Sequence, residues 1–148
     1  MGKTESNYLT HKHFPNSFSE PMEITSPETS DYNCLAWSLN ETQKWFDFEE
    51  DYIWFPNIEN DYNLNNFVQL FENLGFSVSD SSIFETGFEK IALFSLDNEE
   101  CSHVARQTVN GKWTSKLGVS YDVLHTLSSI AGGIYGEAVV FMKRLIDK

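Results

Sequence analysis

The chain has 148 residues, 22 acids against 10 Lys and Arg, a formal charge of −12, 41% hydrophobic residues and 15% aromatics. That is the size of one domain with enough apolar matter for a single core, which excludes a disordered chain. The acidic balance speaks against nucleic acid or an anionic membrane as the main partner, and no apolar run approaches the roughly 20 residues of a membrane helix.

Residues 1–30 are rich in Ser, Thr, Asn and Glu, with Pro15, Pro21 and Pro27 spaced through them. They read as an extended or flexible leader with room for one edge strand. No apolar segment follows the basic residue near the N-terminus, and there are two cysteines. The expected setting is therefore reducing and cytoplasmic, although a delivered toxin or effector would look the same. His11 and His13 lie in this arm without a nearby third and fourth ligand, so no metal is expected there.

From Asp31 the character changes, and residues 31–148 read as a single α+β domain. Asp31-Tyr32-Asn33-Cys34-Leu35-Ala36-Trp37-Ser38-Leu39 has the form of a helix start, with Asp31 or Asn33 as N-cap. Trp45 to Pro56 alternates aromatics with acids and is expected to be an irregular loop. Leu64, Phe67, Val68, Phe71 and Leu74 repeat at helical spacing, with Gly75 where the helix should end. Phe76–Ser79 is expected to be a short strand and Lys90–Leu96 a longer one. Ser102–Val109 and Lys112–Leu117 flank Asn110-Gly111 as a hairpin, and Glu137–Leu145 is the last strand. Helices followed by strands give an α+β fold, with helices packed on a mostly antiparallel sheet.

Two residues stand out chemically. Cys34, in the first turn of its helix, would have its thiolate favoured by free amides and the helix dipole. His103, near the start of a hairpin strand, is the type of residue that takes and returns the proton of such a thiol. Cys101 is two residues from His103, so on a continuous strand the two would share a face. Cys34, Cys101 and His103 lack a metal-binding spacing such as C-x-x-C, and no metal or other cofactor is expected. The hairpin is also the basic part of an acidic protein. Residues 45–89 hold ten acids and no Lys or Arg, whereas residues 101–121 hold Arg106, Lys112 and Lys116 and no acid. Arg106 and Lys116 are thus candidates for binding an anionic group on a substrate, or for pairing with the acidic segment.

The segment His103-Val104-Ala105-Arg106-Gln107-Thr108-Val109-Asn110-Gly111-Lys112-Trp113-Thr114-Ser115 resembles the histidine hairpin of NlpC-type cell-wall peptidases. These belong to the papain-like cysteine hydrolases, whose nucleophile sits at a helix start as Cys34 would. The resemblance implies a papain-like fold, Cys34 as nucleophile, His103 as base and acid, and Ser115 at the position of the polar residue that orients the histidine. Serine is an unusual orienter, and Asn33-Cys34-Leu35 replaces the usual Asp-Cys-Ser start. Asn33-Cys34-x-Ala36-Trp37, His103-x-Ala105-Arg106-Gln107, Ser115-Lys116-Leu117-Gly118, His125 and Tyr135-Gly136 are also similar to an uncharacterised bacterial domain family. That likeness implies one compact domain and carries no established activity.

Strand parity bears on Ser115. A two-residue Asn110-Gly111 turn, which this dipeptide favours, pairs 106 with 115 and puts Lys116, not Ser115, on the face of His103. A three-residue turn shifts the register by one and brings Ser115 to that face. With the tighter turn, Asp122 or a backbone carbonyl would have to orient the histidine instead. The expected function is that of a cysteine-dependent hydrolase or transferase acting on an amide or ester of a peptide or protein substrate: a peptidase, amidase or deamidase. The alternative is a non-catalytic acidic binding or immunity-type module engaging a basic protein partner through Trp45–Pro56.

Overall fold

The structure is a computed structural model that describes residues 14–20, 22–26, 38, 62–116 and 122–146. The expected cysteine helix, apart from Ser38, and the Trp45–Pro56 loop lie outside the described residues, as does Cys34. Among the described residues, seven strands form one antiparallel sheet: β1 (Glu23–Ser26), β2 (Ser77–Ser79), β3 (Phe88–Ser95), β4 (His103–Gln107), β5 (Trp113–Lys116), β6 (Asp122–His125) and β7 (Glu137–Leu145). Their order is β1-β6-β5-β4-β3-β7-β2. Among the described residues the helices are α1 (Leu64–Asn73), the single turn α2 (Leu127–Ile130) and a 3-10 turn at Pro15–Phe18. The fold is mixed α and β, and mostly sheet.

Strand β3 lies inside the sheet, between β4 and β7, and is buried on both faces. Ile91, Ala92, Leu93 and Phe94 are all at most 1% exposed, the continuous apolar run of an interior strand rather than the alternation of a half-exposed one. Its register with β4 sorts the side chains into two layers. Ile91, Leu93 and Val104 face α1 and pack with Phe67, Leu70, Phe71, Phe76 and Met142. Ala92, Phe94 and Ala105 face the other way and pack with Phe14, Trp113 and Ile130. Helix α1 starts because the side chain of Asn63 accepts a bond from the amide of Asn65 at 2.8 Å. Its Phe67, Leu70 and Phe71 face inward, each full burial contributing roughly 1.5–3 kcal/mol. The chain leaves the helix through Leu74 and Gly75, as the spacing predicts.

The arm is partly built into this body. Phe14 is buried in the second layer, and β1 pairs with β6 at the sheet edge. Strand β6 itself is not anticipated from the sequence; Asp122-Val123-Leu124-His125 is short and carries charge at its start. A buried Lys90 on β3 lies directly across from Lys143 on β7. Glu85 relieves that like-charge pair, with its carboxylate 2.6 Å from the Lys90 ammonium and 3.1 Å from that of Lys143. Lys90, then Lys143, hold the Glu85 carboxyl below its usual range. Lys90 also donates to the carbonyls of Ser81 and Ile83, which makes its full burial tolerable.

The β4–β5 hairpin turns in three residues, not two. Arg106 pairs with Thr114 and Gln107 with Trp113. The Thr108 amide donates to the Lys112 carbonyl at 2.7 Å and the Gly111 amide to the Thr108 carbonyl at 3.0 Å. Gly111 takes φ +89°, a left-handed residue that closes such a turn with a bulge. This corrects the tight-turn expectation and has a direct consequence: Ser115 joins the layer of Ala105 and Gln107, and Lys116 joins the opposite one.

Gly136, at φ +76°, enters β7 against β3 so closely that a Cβ there would lie 2.1 Å from the Ser95 carbonyl oxygen. Both the left-handed conformation and the backbone contact require glycine. Gly136→Ala is expected to lower the unfolding free energy by roughly 3 kcal/mol or more. The check is a urea titration in which the midpoint falls at unchanged slope.

Candidate active site

The layer containing Phe94 and Trp113 also carries a chain of polar side chains. His103 opens β4, Ser115 lies on β5 and His125 closes β6. Register places all three on one face: Phe94 pairs with His103, Gln107 with Trp113, and Trp113 with His125. Ala105 and Val123, near Ser115 on the same face, are small enough for the two imidazoles to reach the hydroxyl from either side. The Nε2 of His103 is 2.9 Å from Ser115 Oγ, and that oxygen is 2.7 Å from Nε2 of His125. The Nδ1 of His125 is 2.7 Å from the Thr126 carbonyl oxygen. His103, Ser115 and His125 are 1%, 0% and 3% exposed.

The direction of these bonds follows from chemistry. A carbonyl oxygen only accepts, so Nδ1 of His125 carries the proton and its Nε2 is a bare acceptor in the neutral ring. The Ser115 hydroxyl therefore donates to His125 and accepts from Nε2–H of His103. The remaining nitrogen of His103, Nδ1, is then an unprotonated base, and it has no hydrogen-bond partner among the described residues. Tyr135 stacks flat on the His103 ring at 4.0 Å between centroids and 3° between planes. Phe94 meets the same ring edge-on at 5.6 Å. Ser102 Oγ donates to the Tyr135 carbonyl, and Gly136 brings Tyr135 this close to the sheet. The clamp leaves the imidazole little freedom to rotate.

Burial holds both rings neutral. Desolvation first, and the proximity of His125 second, push the His103 pKa well below its ordinary value. Desolvation lowers His125 to about 4, only partly offset by its bond to Thr126. A cleft of about 300 Å³ lies beside His125, lined by Glu23, Lys112, Leu124, His125 and Thr126.

The residues singled out in the sequence thus divide. The structure brings His103 and Ser115 into hydrogen-bond contact. Arg106 and Lys116 lie on the opposite face, paired in register with Thr114 and Asp122 respectively. Lys116 is wholly buried, and Arg106 is influenced by Glu89 and Asp122. Asp122 shares that face and does not reach the histidine's layer. Cys101 precedes the first residue of β4, so strand parity does not govern it. It packs with Leu93 and Val104 in the α1 layer, away from the ring of His103. Cys34 lies outside the described residues; Ser38, four positions later in the sequence, is helical and buried. Two residues with no role assigned from the sequence join this cluster: His125 bonds Ser115, and Tyr135 covers the ring of His103. The signal for His125 was the apolar pair Val123-Leu124 ahead of it, too short to read as a strand. Nothing local marked Tyr135.

Fold and site together define a mixed, mostly β domain whose antiparallel sheet buries a histidine–serine–histidine chain. Residues 23–143 match the family described as Domain of unknown function (DUF7689), and the chain belongs to that family. Among curated proteins and solved structures, none matches it.

Two buried neutral imidazoles make stability depend on pH. Below about pH 6.5 the unfolded chain takes up protons at His103 and His125 that the folded chain refuses, at His125 until about pH 4. Their contribution is complete above the unfolded pKa and is lost as pH falls toward the folded values, by roughly 3 kcal/mol for His125 alone. Urea unfolding at steps from pH 7.5 to 4.5 should show stability falling already between 6.5 and 5, ahead of most carboxylates. His125→Gln should flatten part of that slope.

Proposed function

We propose that the domain is a cysteine-dependent hydrolase or transferase of the papain-like type, acting on an amide or ester of a peptide or protein substrate. The observation that carries this is the bare Nδ1 of His103, fixed by a hydrogen bond from its other nitrogen to Ser115. A cysteine-assisting histidine needs one nitrogen held by an orienting group and the other unprotonated toward the thiol. Ser115 meets the first requirement with an uncharged hydroxyl, and the position equivalent to the orienter in the resembled hairpin is the one it occupies.

In this mechanism Cys34 is the nucleophile. Because burial disfavours an imidazolium, the resting pair is a thiol and a neutral imidazole. As Sγ attacks the substrate carbonyl, its proton passes to His103 Nδ1, and the positive ring is steadied by Nε2–H donation to Ser115. Backbone amides next to Cys34 stabilise the tetrahedral oxyanion. Nδ1–H then protonates the departing amine or alcohol as the C–N or C–O bond breaks, leaving a thioester. A water, or an acceptor amine in a transferase, gives its proton to Nδ1 and attacks the thioester, releasing acyl product and Cys34 thiol.

The test is the rate of Cys34 alkylation by iodoacetamide against pH, in a Cys101→Ser background. Because the resting thiol is activated by passing its proton to His103, labelling should be fast near neutral pH and should fall only where His103 itself takes up a proton at acid pH. His103→Ala should slow it at pH 7.5 by roughly 10²-fold. Slow labelling that ignores His103 would refute the hydrolase and leave a non-catalytic acidic module with a basic protein partner.

A further inference from the structure

We infer that His125 is a positioning residue: through the Ser115 hydroxyl it selects the tautomer of His103 that leaves Nδ1 bare. This deepens the proposed hydrolase reading and rests on it for its functional consequence, but the structural claim is tested separately.

A neutral imidazole in isolation has two tautomers of similar energy, and which one persists is set by what each nitrogen touches. Serine alone does not decide the matter, because a hydroxyl both donates and accepts. A His103 held only by Ser115 is as well satisfied with Nε2 accepting from the hydroxyl, and its proton would then sit on Nδ1, where it blocks abstraction from a thiol. The decision is made one residue further along. The Ser115 proton is drawn to His125 Nε2 at 2.7 Å, and that nitrogen is an acceptor because Nδ1 of the same ring donates to the Thr126 carbonyl at 2.7 Å. With its only proton committed, the serine oxygen has just its lone pairs for His103, 2.9 Å away. Burial of all three side chains keeps water from supplying the missing donor or acceptor. Ser102, bonded to the Tyr135 carbonyl, and Tyr135, stacked on the ring, hold the plane of His103 but do not touch its nitrogens in a way that chooses a tautomer. The three-residue hairpin turn and the pairing of β5 with β6 exist on this face as one alignment: a slip of one residue at either would take Ser115 or His125 out of the chain.

The experiment is side-chain nitrogen NMR of the full chain labelled with nitrogen-15, at pH 7.5, where long-range proton couplings distinguish protonated from bare ring nitrogens. In the wild type, His125 should carry its proton on Nδ1 and His103 on Nε2. His125→Gln supplies an amide that can donate to Thr126 and accept from Ser115, and should leave His103 unchanged. His125→Phe removes the acceptor and should move His103 wholly or partly to the Nδ1–H form, with Cys34 alkylation slowed about tenfold while His125→Gln retains it. A wild-type His103 protonated on Nδ1, or a tautomer indifferent to His125→Phe, overturns the inference. If His125→Phe does not fold, His125→Leu removes the same acceptor with a smaller side chain, leaves Ser115 in place and is read in the same way. Tautomer control by His125 in a protein whose Cys34 labels slowly, whatever stands at 103, would uphold this inference and refute the hydrolase.

Discussion

A backbone carbonyl can only accept a hydrogen bond, and in a buried, water-poor layer that one-way property passes from Thr126 through His125 and Ser115 to His103. Each neutral imidazole has one donor and one acceptor, so the direction chosen at Thr126 is preserved across both rings. Three adjacent strands must hold their register for the chain to exist, and the same bonds in turn satisfy polar atoms that would otherwise destabilise the interior. Structure and candidate chemistry therefore depend on the same contacts.

The sheet separates its two tasks by face. Toward α1, the side chains of β3, β4 and β7 build an apolar layer around Phe71, Leu93 and Met142. Toward the other side, Phe94, Trp113 and Tyr135 surround polar groups rather than excluding them. Arg106 and Lys116 of the basic hairpin follow the first face, whereas Lys112 lines the cleft beside His125. Lys116 and Asp122 are opposite each other across β5 and β6, and Arg106 feels Glu89 and Asp122. Arg106 and Lys116 thus lie on the face of the sheet opposite His103.

What was legible came from patterns that depend on few neighbours. The 3.6-residue spacing of Leu64, Phe67, Phe71 and Leu74 marked α1, and the β-branched and aromatic run of Glu137–Leu145 marked β7 at its observed bounds. The apolar stretch after Lys90 marked the interior strand β3. Register was less accessible. Asn110-Gly111 favours a two-residue turn locally, but the observed three-residue turn uses Gly111 alone in the left-handed region. It thereby buries Trp113 and Ser115 on the face where β6 offers His125. Tertiary pairing outweighed the local preference, because one residue of slip would exchange the two faces of β5.

By itself, the sequence determined that the domain is acidic, aromatic-rich and mixed in α and β structure, with His103 as the histidine most open to a chemical role. Composition and periodicity suffice for these because burial of apolar surface is additive along an element. Only the tertiary structure decided that Ser115 faces His103, that His125 lies behind it, that Tyr135 covers the ring, and that Arg106 and Lys116 face elsewhere. Those outcomes depend on strand register and on a glycine-permitted close approach between Gly136 and Ser95. Such relations join residues distant in the chain, and no local spacing encodes them.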